Sequence, residues 1–348
     1  MGEVHIVMTP SENAKKEVVE AWLNSLDLWL TEAISSPFNW LYAREAIYAL
    51  LDSGQFPFPE ILFNWQRRYY LDSNISQINA KLSKFFNNES ENHLSHHLGQ
   101  LGYLVVTEPA TIVIVPDQFA DRWPRIIRDQ MYELLATACA CKHNGEPFGQ
   151  KMLIATLALD DLTKAIEVSA VILDALPDFA RPDNNKISQT FPLLITPDDL
   201  LPLFNVVECW DNGEIGIKYA IKQQYKRDWY GISPKPLQYD LGIHFTASVM
   251  ERKDITDLML SRITRTMAGV VADRLDLLSH KPHWYRERED SHTPQFVRTS
   301  ENATAWRITI TPDGAGWRMH YWRKVDPHGN VIIEFSNVLT KNDPAVIY

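Results

Sequence analysis

The sequence predicts an α+β protein, with a helical amino-terminal unit followed by a carboxy-terminal unit that ends in an antiparallel β meander. Three observations predict it. Val18, Trp22, Leu26, Trp29 and Leu30 recur every three or four residues, the spacing of one helix face. Trp306, Ile308 and Ile310 alternate with Arg307, Thr309 and Thr311, the two-residue period of a half-buried strand. From Leu176 to Thr190 the chain is polar and proline-bearing, which sets the expected boundary between units 1–180 and 190–348. A chain of 348 residues also exceeds what one hydrophobic core usually serves, ~250–300 residues.

Taken in order, Thr9-Pro10-Ser11-Glu12 reads as a helix start, because Thr caps free amides and Pro fits the first turn. That helix ends at Ser35-Ser36-Pro37. A second helix near 39–52 carries Leu41, Ile47, Leu50 and Leu51 and stops at Gly54, and an aromatic-rich segment follows from Ile61 to Leu71. Ile75, Ile78, Leu82, Phe85 and Phe86 mark a further helix, and Leu94, Leu98 and Leu101 a short one closed near Gly102. Two β-rich runs, Tyr103 to Thr107 and Thr111 to Val115, are separated by Glu108-Pro109-Ala110. Helix, turn, helix and hairpin over 75–115 resembles a winged helix. A long helix is expected from Pro116 to Lys142, and another capped by Asp160-Asp161 with Leu162, Ile166, Ala170 and Leu173 on one face.

The second unit is expected to be richer in β structure. Val206 to Asp211 and Glu214 to Lys222 flank Asn212-Gly213, the dipeptide best suited to a two-residue hairpin. Tyr239 to Val249 reads as another strand, and Asp254 as the cap of a helix carrying Leu258, Ile263, Met267, Val270 and Leu275. Residues 281–303 are charged and polar, as in an exposed loop. The meander has its turns at Pro312-Asp313-Gly314-Ala315-Gly316 and Asp326-Pro327-His328-Gly329-Asn330.

A formal net charge of -10 gives the molecule no global positive field for polyanions, so nucleic-acid contact requires a local patch. Three cysteines, Cys139, Cys141 and Cys209, suit a reducing compartment better than a secreted disulfide framework. Neither a signal-peptide pattern nor an apolar run of the ~20 residues needed to cross a bilayer is evident, so the expectation is a cytoplasmic protein without membrane contact. Phosphate-binding Gly-Lys-Ser or Gly-Lys-Thr loops, the dinucleotide glycine fingerprint, the serine elbow and the kinase signature are all missing. No cofactor is expected.

The strongest binding candidate is the polar face of the meander, where Arg307, Arg318, His320, Trp322 and Lys324 combine cations with an aromatic ring. Such a face stacks single-stranded bases and holds their phosphates, although any half-exposed sheet alternates in this way. The helix of the winged-helix-like element offers Asn92, Ser95, His96 and Gln100 but no Arg or Lys for phosphates. His93 and His97 share a helix face without a third ligand. Cys139, Cys141 and His143 miss the spacing of a zinc knuckle, and Glu208, Asp211 and Glu214 read as carboxylates at a solvated turn, so no metal site is expected. Arg274 and His280 have a spacing similar to the arginine-to-histidine pair of HEPN ribonucleases, although the helix dipole alone also favours basic residues near a helix end.

These readings lead to a non-catalytic or weakly catalytic subunit of an intracellular, bacterial-type assembly, with protein partners and a nucleic-acid-binding face. Two alternatives stand beside it. One is a hydrolase or nuclease whose site gathers scattered residues such as Arg274, His280 and His320. The other is a purely structural docking subunit using the eleven tryptophans, a residue favoured at interface centres.

Overall fold

The computed structural model describes residues 2–4, 9–37, 40–41, 44–87, 104–117, 125–144, 153–155, 165–176, 184–203, 205–286, 292–311, 316–341 and 343. Helices and mixed sheets make it an α+β protein. Its contacts divide the chain into two compact units, Met1–Pro202 and Leu203–Tyr348.

In the first unit, α1 (Lys16–Ser35), α2 (Arg44–Asp52), α3 (Pro59–Tyr69) and α4 (Ile75–Asn87) follow the apolar stripes of the sequence. Val19, Trp22, Leu23, Leu26 and Leu30 of α1 are fully buried. The helix starts later than Thr9-Pro10, because the Thr9 amide donates to the Gln55 carbonyl and holds that stretch outside the helix. α1 packs on α4, and Lys81 Nζ reaches Asp27 Oδ1 at 2.7 Å between them.

This unit is less helical than its sequence suggests. Its described residues form a seven-stranded mixed sheet of β1 (Gly2–Val4), β2 (Trp40–Leu41), β3 (Leu104–Thr107), β4 (Val113–Val115), β5 (Leu153–Ala155), β6 (Ala165–Leu176) and β7 (Lys186–Leu194). The expected helix through Ile166, Ala170 and Leu173 is strand β6. Ile166, Val168, Ala170 and Ile172 are all fully buried and alternate with exposed Glu167 and Leu173, so the two-residue period prevails over the four-residue one. β7 begins inside the stretch read as an inter-unit boundary and pairs antiparallel with β6. The long helix α5 (Arg125–Asn144) packs on β6 and β7 through residues such as Leu135, Ala138 and Cys139.

The hairpin expected over 103–115 does not form. β3 and β4 both run antiparallel to β6, pairing with residues 172–176 and 167–169, and are joined by a 3-10 turn, Pro109–Thr111. Two strands pointing the same way along one edge cannot be the two arms of a wing. The short helix of Leu94, Leu98 and Leu101 lies outside the described residues.

In the second unit the Asn212-Gly213 turn starts α6 (Gly213–Asp228) rather than a hairpin. Ile217 and Ile221 are fully buried while Ile215 is 65% exposed, which a strand with Ile215, Ile217, Tyr219 and Ile221 on one face would not allow. Tyr239 to Val249 divides into β8 (Gln238–Leu241) and α7 (Phe245–Met250). Helix α8 (Asp257–Val271) is capped by Thr256, whose side chain accepts from the Met259 amide, whereas Asp254 is engaged by Arg252 at 3.0 Å.

The sheet of this unit contains β9 (His283–Trp284), β10 (Val297–Arg298), β11 (Ala303–Thr309), β12 (Arg318–Val325) and β13 (Val331–Leu339), with β8 parallel to β13. β11, β12 and β13 pair consecutively and antiparallel. The segment 281–303, expected as a loop, thus contributes two short strands, both on β11. One face of the sheet carries Ile308, Met319, Tyr321, Ile333 and Phe335 and is covered by α6, α7 and α8 through Ile217, Phe245, Ile263 and Met267. Alternation sends the neighbouring residues to the opposite face, where the candidate site lies.

Candidate functional site

Pairing sets the positions of the five expected binding residues. Arg307 lies opposite His320, Thr309 opposite Arg318, Ala305 opposite Trp322 and Ala303 opposite Lys324, so all five share the face turned away from the helices. The β13 register adds Glu334 opposite Trp322 and Asn337 opposite His320. The structure therefore brings the five side chains together.

It does not leave them open. Trp322 is 1% exposed and packs with Tyr285, Ala303 and Ala305. The Phe296 ring lies 6.1 Å from it, and the Arg298 guanidinium lies over it, 4.2 Å from the ring centroid. The accessible indole expected from alternation is therefore absent: Tyr285, Phe296 and Arg298 cover this part of the face, which the polar composition around them did not suggest. Lys324 is also engaged, pairing with Glu301 at 2.6 Å and with Glu334. Arg298 reaches Glu334 at 2.8 Å and Glu301 at 3.7 Å. Two cations and two carboxylates thus balance above the indole, and the side chains of Lys324 hold the Glu301 carboxyl below its usual range.

Sequence reasoning missed Arg298, Glu301 and Glu334. A signal for Glu334 was present, because a hairpin closed at Asp326-Pro327-His328-Gly329-Asn330 pairs Val325 with Val331 and, counting back, Trp322 with Glu334.

His320 is 4% exposed. Its Nδ1 is 2.8 Å from Asn337 Oδ1, and Tyr285 meets its ring edge-on at 5.0 Å. A side-chain carbonyl can only accept, so Nδ1 carries the proton and Nε2 is the acceptor. Burial lowers its pKa to about 4, the Asn337 contact opposes this, and the charges of Arg307 and Arg318 lower it further. The imidazole is neutral at neutral pH.

Of the residues expected for catalysis, Arg274 is engaged by a neighbouring carboxylate. Arg274 follows α8 on the helix side and forms a two-bond pair with Asp276, at 3.0 Å for each bond. His280 lies farther along the same connection, and His320 is on the sheet face turned away from α8. Arg323, whose side chain shares the helix face, reaches Asp273 at 3.0 Å.

Cys139 is buried in the first unit, where its thiol donates to the Val168 carbonyl and burial pushes its pKa up to about 12. Burial likewise raises the thiol of Cys209. Neither is a ready nucleophile or metal ligand. Glu214 pairs with Lys218 at 2.8 Å within α6, and among the described residues no group of three His, Cys, Asp or Glu could hold a metal ion. Asn92, His93, Ser95, His96, His97 and Gln100 lie outside the described residues. No helix among the described residues is long and apolar enough to cross a membrane.

The edge of the same sheet carries a different feature. Trp284 pairs with Trp306 and Val297 with Thr304, so the two stand on one face along β11. Trp284 is 50% exposed, Val297 54% and neighbouring Phe296 43%. The Arg286 guanidinium lies 5.4 Å from the Trp284 ring centroid. Against known families, curated proteins and solved structures, the chain matches none.

Proposed function

We propose that this chain is a non-catalytic binding subunit that docks a protein partner on the β9–β10 edge of its second sheet. The observation that carries the reading is Trp284, half exposed beside Val297 on one face of two short edge strands. Single exposed apolar residues are ordinary, but two side by side on one face, one of them Trp, form the kind of surface that interfaces cover. Arg286 over the indole suits a partner that presents an apolar pocket bordered by a carboxylate. The engagement of Arg274 by Asp276 and the internal charge balance around Trp322 support binding through this edge over the hydrolase and base-stacking readings.

The test is site-specific photo-crosslinking from position 284 in the native complex, followed by reconstitution with the purified cross-linked partner. Trp284→Ala is expected to weaken that binary affinity by roughly thirtyfold, the ~2 kcal/mol of an interface anchor. An affinity unchanged by the substitution would remove the proposal.

A further inference from the structure

The docking edge is joined to the buried histidine of the same sheet. Tyr285, the residue after Trp284, is buried and packs its ring against the imidazole of His320, 5.0 Å between centroids. Its amide donates to the Ala305 carbonyl, and its own carbonyl accepts from the Phe296 amide. The neighbouring walls of the His320 pocket are β11 and β13, seven and nine residues long and both paired with β12, whereas β9 has only two residues. The wall that yields most readily is therefore the one next to Trp284. The charged and titratable groups around His320 are Arg307 on β11, Arg318 on β12 itself, His283 on β9 and Tyr285 just after it. On β13, Asn337 is neutral, and Glu334 farther along is held by Lys324 and by Arg298 of β10. His320 Nε2, where a second proton binds, has no hydrogen-bond partner among the described residues. An imidazolium here is a buried charge beside two guanidinium groups, with a new N–H that nothing accepts, and water must enter to relieve both costs.

We propose that His320 is an acid-operated catch on the docking edge: when Nε2 takes a proton from solvent, Tyr285 lifts to hydrate the imidazolium, Trp284 moves with it, and the edge releases its protein partner. This catch, which rests on the docking reading above, gives that edge a pH control. His320 titrates near 4 while the pocket is closed and near 6.5 once water reaches it, so falling pH favours the open form. The edge is held in place above pH 6.5 and loosens progressively down to about 4. Between pH 8 and pH 5 the opening equilibrium rises about thirtyfold. The two-residue strand β9 makes the response local, because the long ladders of β11, β12 and β13 keep the rest of the sheet closed.

The experiment is amide hydrogen exchange on the whole chain without a partner, with protection corrected for the intrinsic exchange rate at each pH. The Tyr285 amide reports the cover, and the Ala272 amide, which donates to the Ala268 carbonyl at the end of α8, reports the fold. Wild-type protection at Tyr285 is expected to fall about thirtyfold from pH 8 to pH 5 while Ala272 stays level, and neither should change in His320→Gln. His283→Gln should keep the fall, because that imidazole is already exposed. The wild type decides even if His320→Gln does not fold: equal protection of Tyr285 at the two pH values, or a fall in step with Ala272, overturns the catch. A fall that persists in His320→Gln, or that vanishes in His283→Gln, overturns it as well. With the purified cross-linked partner, the ratio of wild-type to His320→Gln affinity should drop over the same pH range, and a constant ratio overturns partner release. Should Trp284→Ala leave the partner's affinity unchanged, the docking reading fails alone, since exchange at Tyr285 is measured with no partner present.

Discussion

The Arg298 guanidinium lies 4.2 Å from the centroid of the Trp322 ring, and the same group reaches Glu334 at 2.8 Å. Both charged side chains are mostly buried, at 24% and 16% exposure, so the interaction is only partly screened. Arg298→Ala removes a partly desolvated cation–π contact and leaves Glu334 to Lys324 alone, a cost of about 2 kcal/mol. Arg298→Lys should cost less, because the charge persists while the planar stack is lost. Urea unfolding at neutral pH reads both values. An Arg298→Ala protein as stable as wild type would mean that the cover over Trp322 contributes nothing.

His320 gives the protein a specific acid sensitivity. Its pKa is near 4 in the fold against 6.5 for an ordinary histidine, so the unfolded chain binds the extra proton first as pH falls. Stability from this residue is complete above pH 6.5 and lost progressively down to about 4, by up to about 3 kcal/mol. His320→Gln, which has no such proton to take up, should lose less stability than wild type over that window. Parallel unfolding curves for the two proteins across it would contradict the assignment.

Gly216 sits where no side chain fits. A Cβ there would lie 1.8 Å from the Cys209 carbonyl oxygen and 2.8 Å from Asn212 Cβ, and a backbone carbonyl cannot retreat as a side-chain tip does. Gly216→Ala should therefore destabilise by more than about 3 kcal/mol, beyond ordinary overpacking. Gly231→Ala, with open space around it, should change stability by under ~0.5 kcal/mol. Thermal unfolding of the pair decides this, and similar melting temperatures would mean that the α6 entrance is laxer than described.

Much of the local structure was legible, and the errors share a cause. Wherever apolar residues marked a single face, as in α1, α4, α8 and β11, periodicity identified the element. It failed at 165–176 and 213–228, because Ile166, Ala170 and Leu173 fit a helix as well as a strand, and Ile215, Ile217, Tyr219 and Ile221 fit a strand as well as a helix. Only the partner surface resolves such ties: β7 pairs with one segment and α8 packs on the other. The candidate face was legible as a face, since alternation placed Arg307, Arg318, His320, Trp322 and Lys324 together. Its covering was not, because Arg298 reaches Trp322 from a segment whose polar composition reads as loop.

The docking edge should be dispensable for folding. Trp284 is 50% exposed, so truncating it gives up only part of the burial of a full indole, and Trp284→Ala should lower stability by no more than about 1 kcal/mol. Chemical denaturation checks this. A loss of several kcal/mol would make Trp284 a core residue and withdraw it as an interface anchor.

The central claim is that the cations around Trp322 are engaged within the fold, so the meander does not grip a nucleic-acid strand there. Titrating a labelled single-stranded oligonucleotide with wild type and with Lys324→Gln, between roughly 50 and 200 mM salt, tests it most directly. The account predicts superimposable curves for the two proteins at each salt concentration. Tight binding by wild type that weakens steeply with salt and is lost in Lys324→Gln would contradict it.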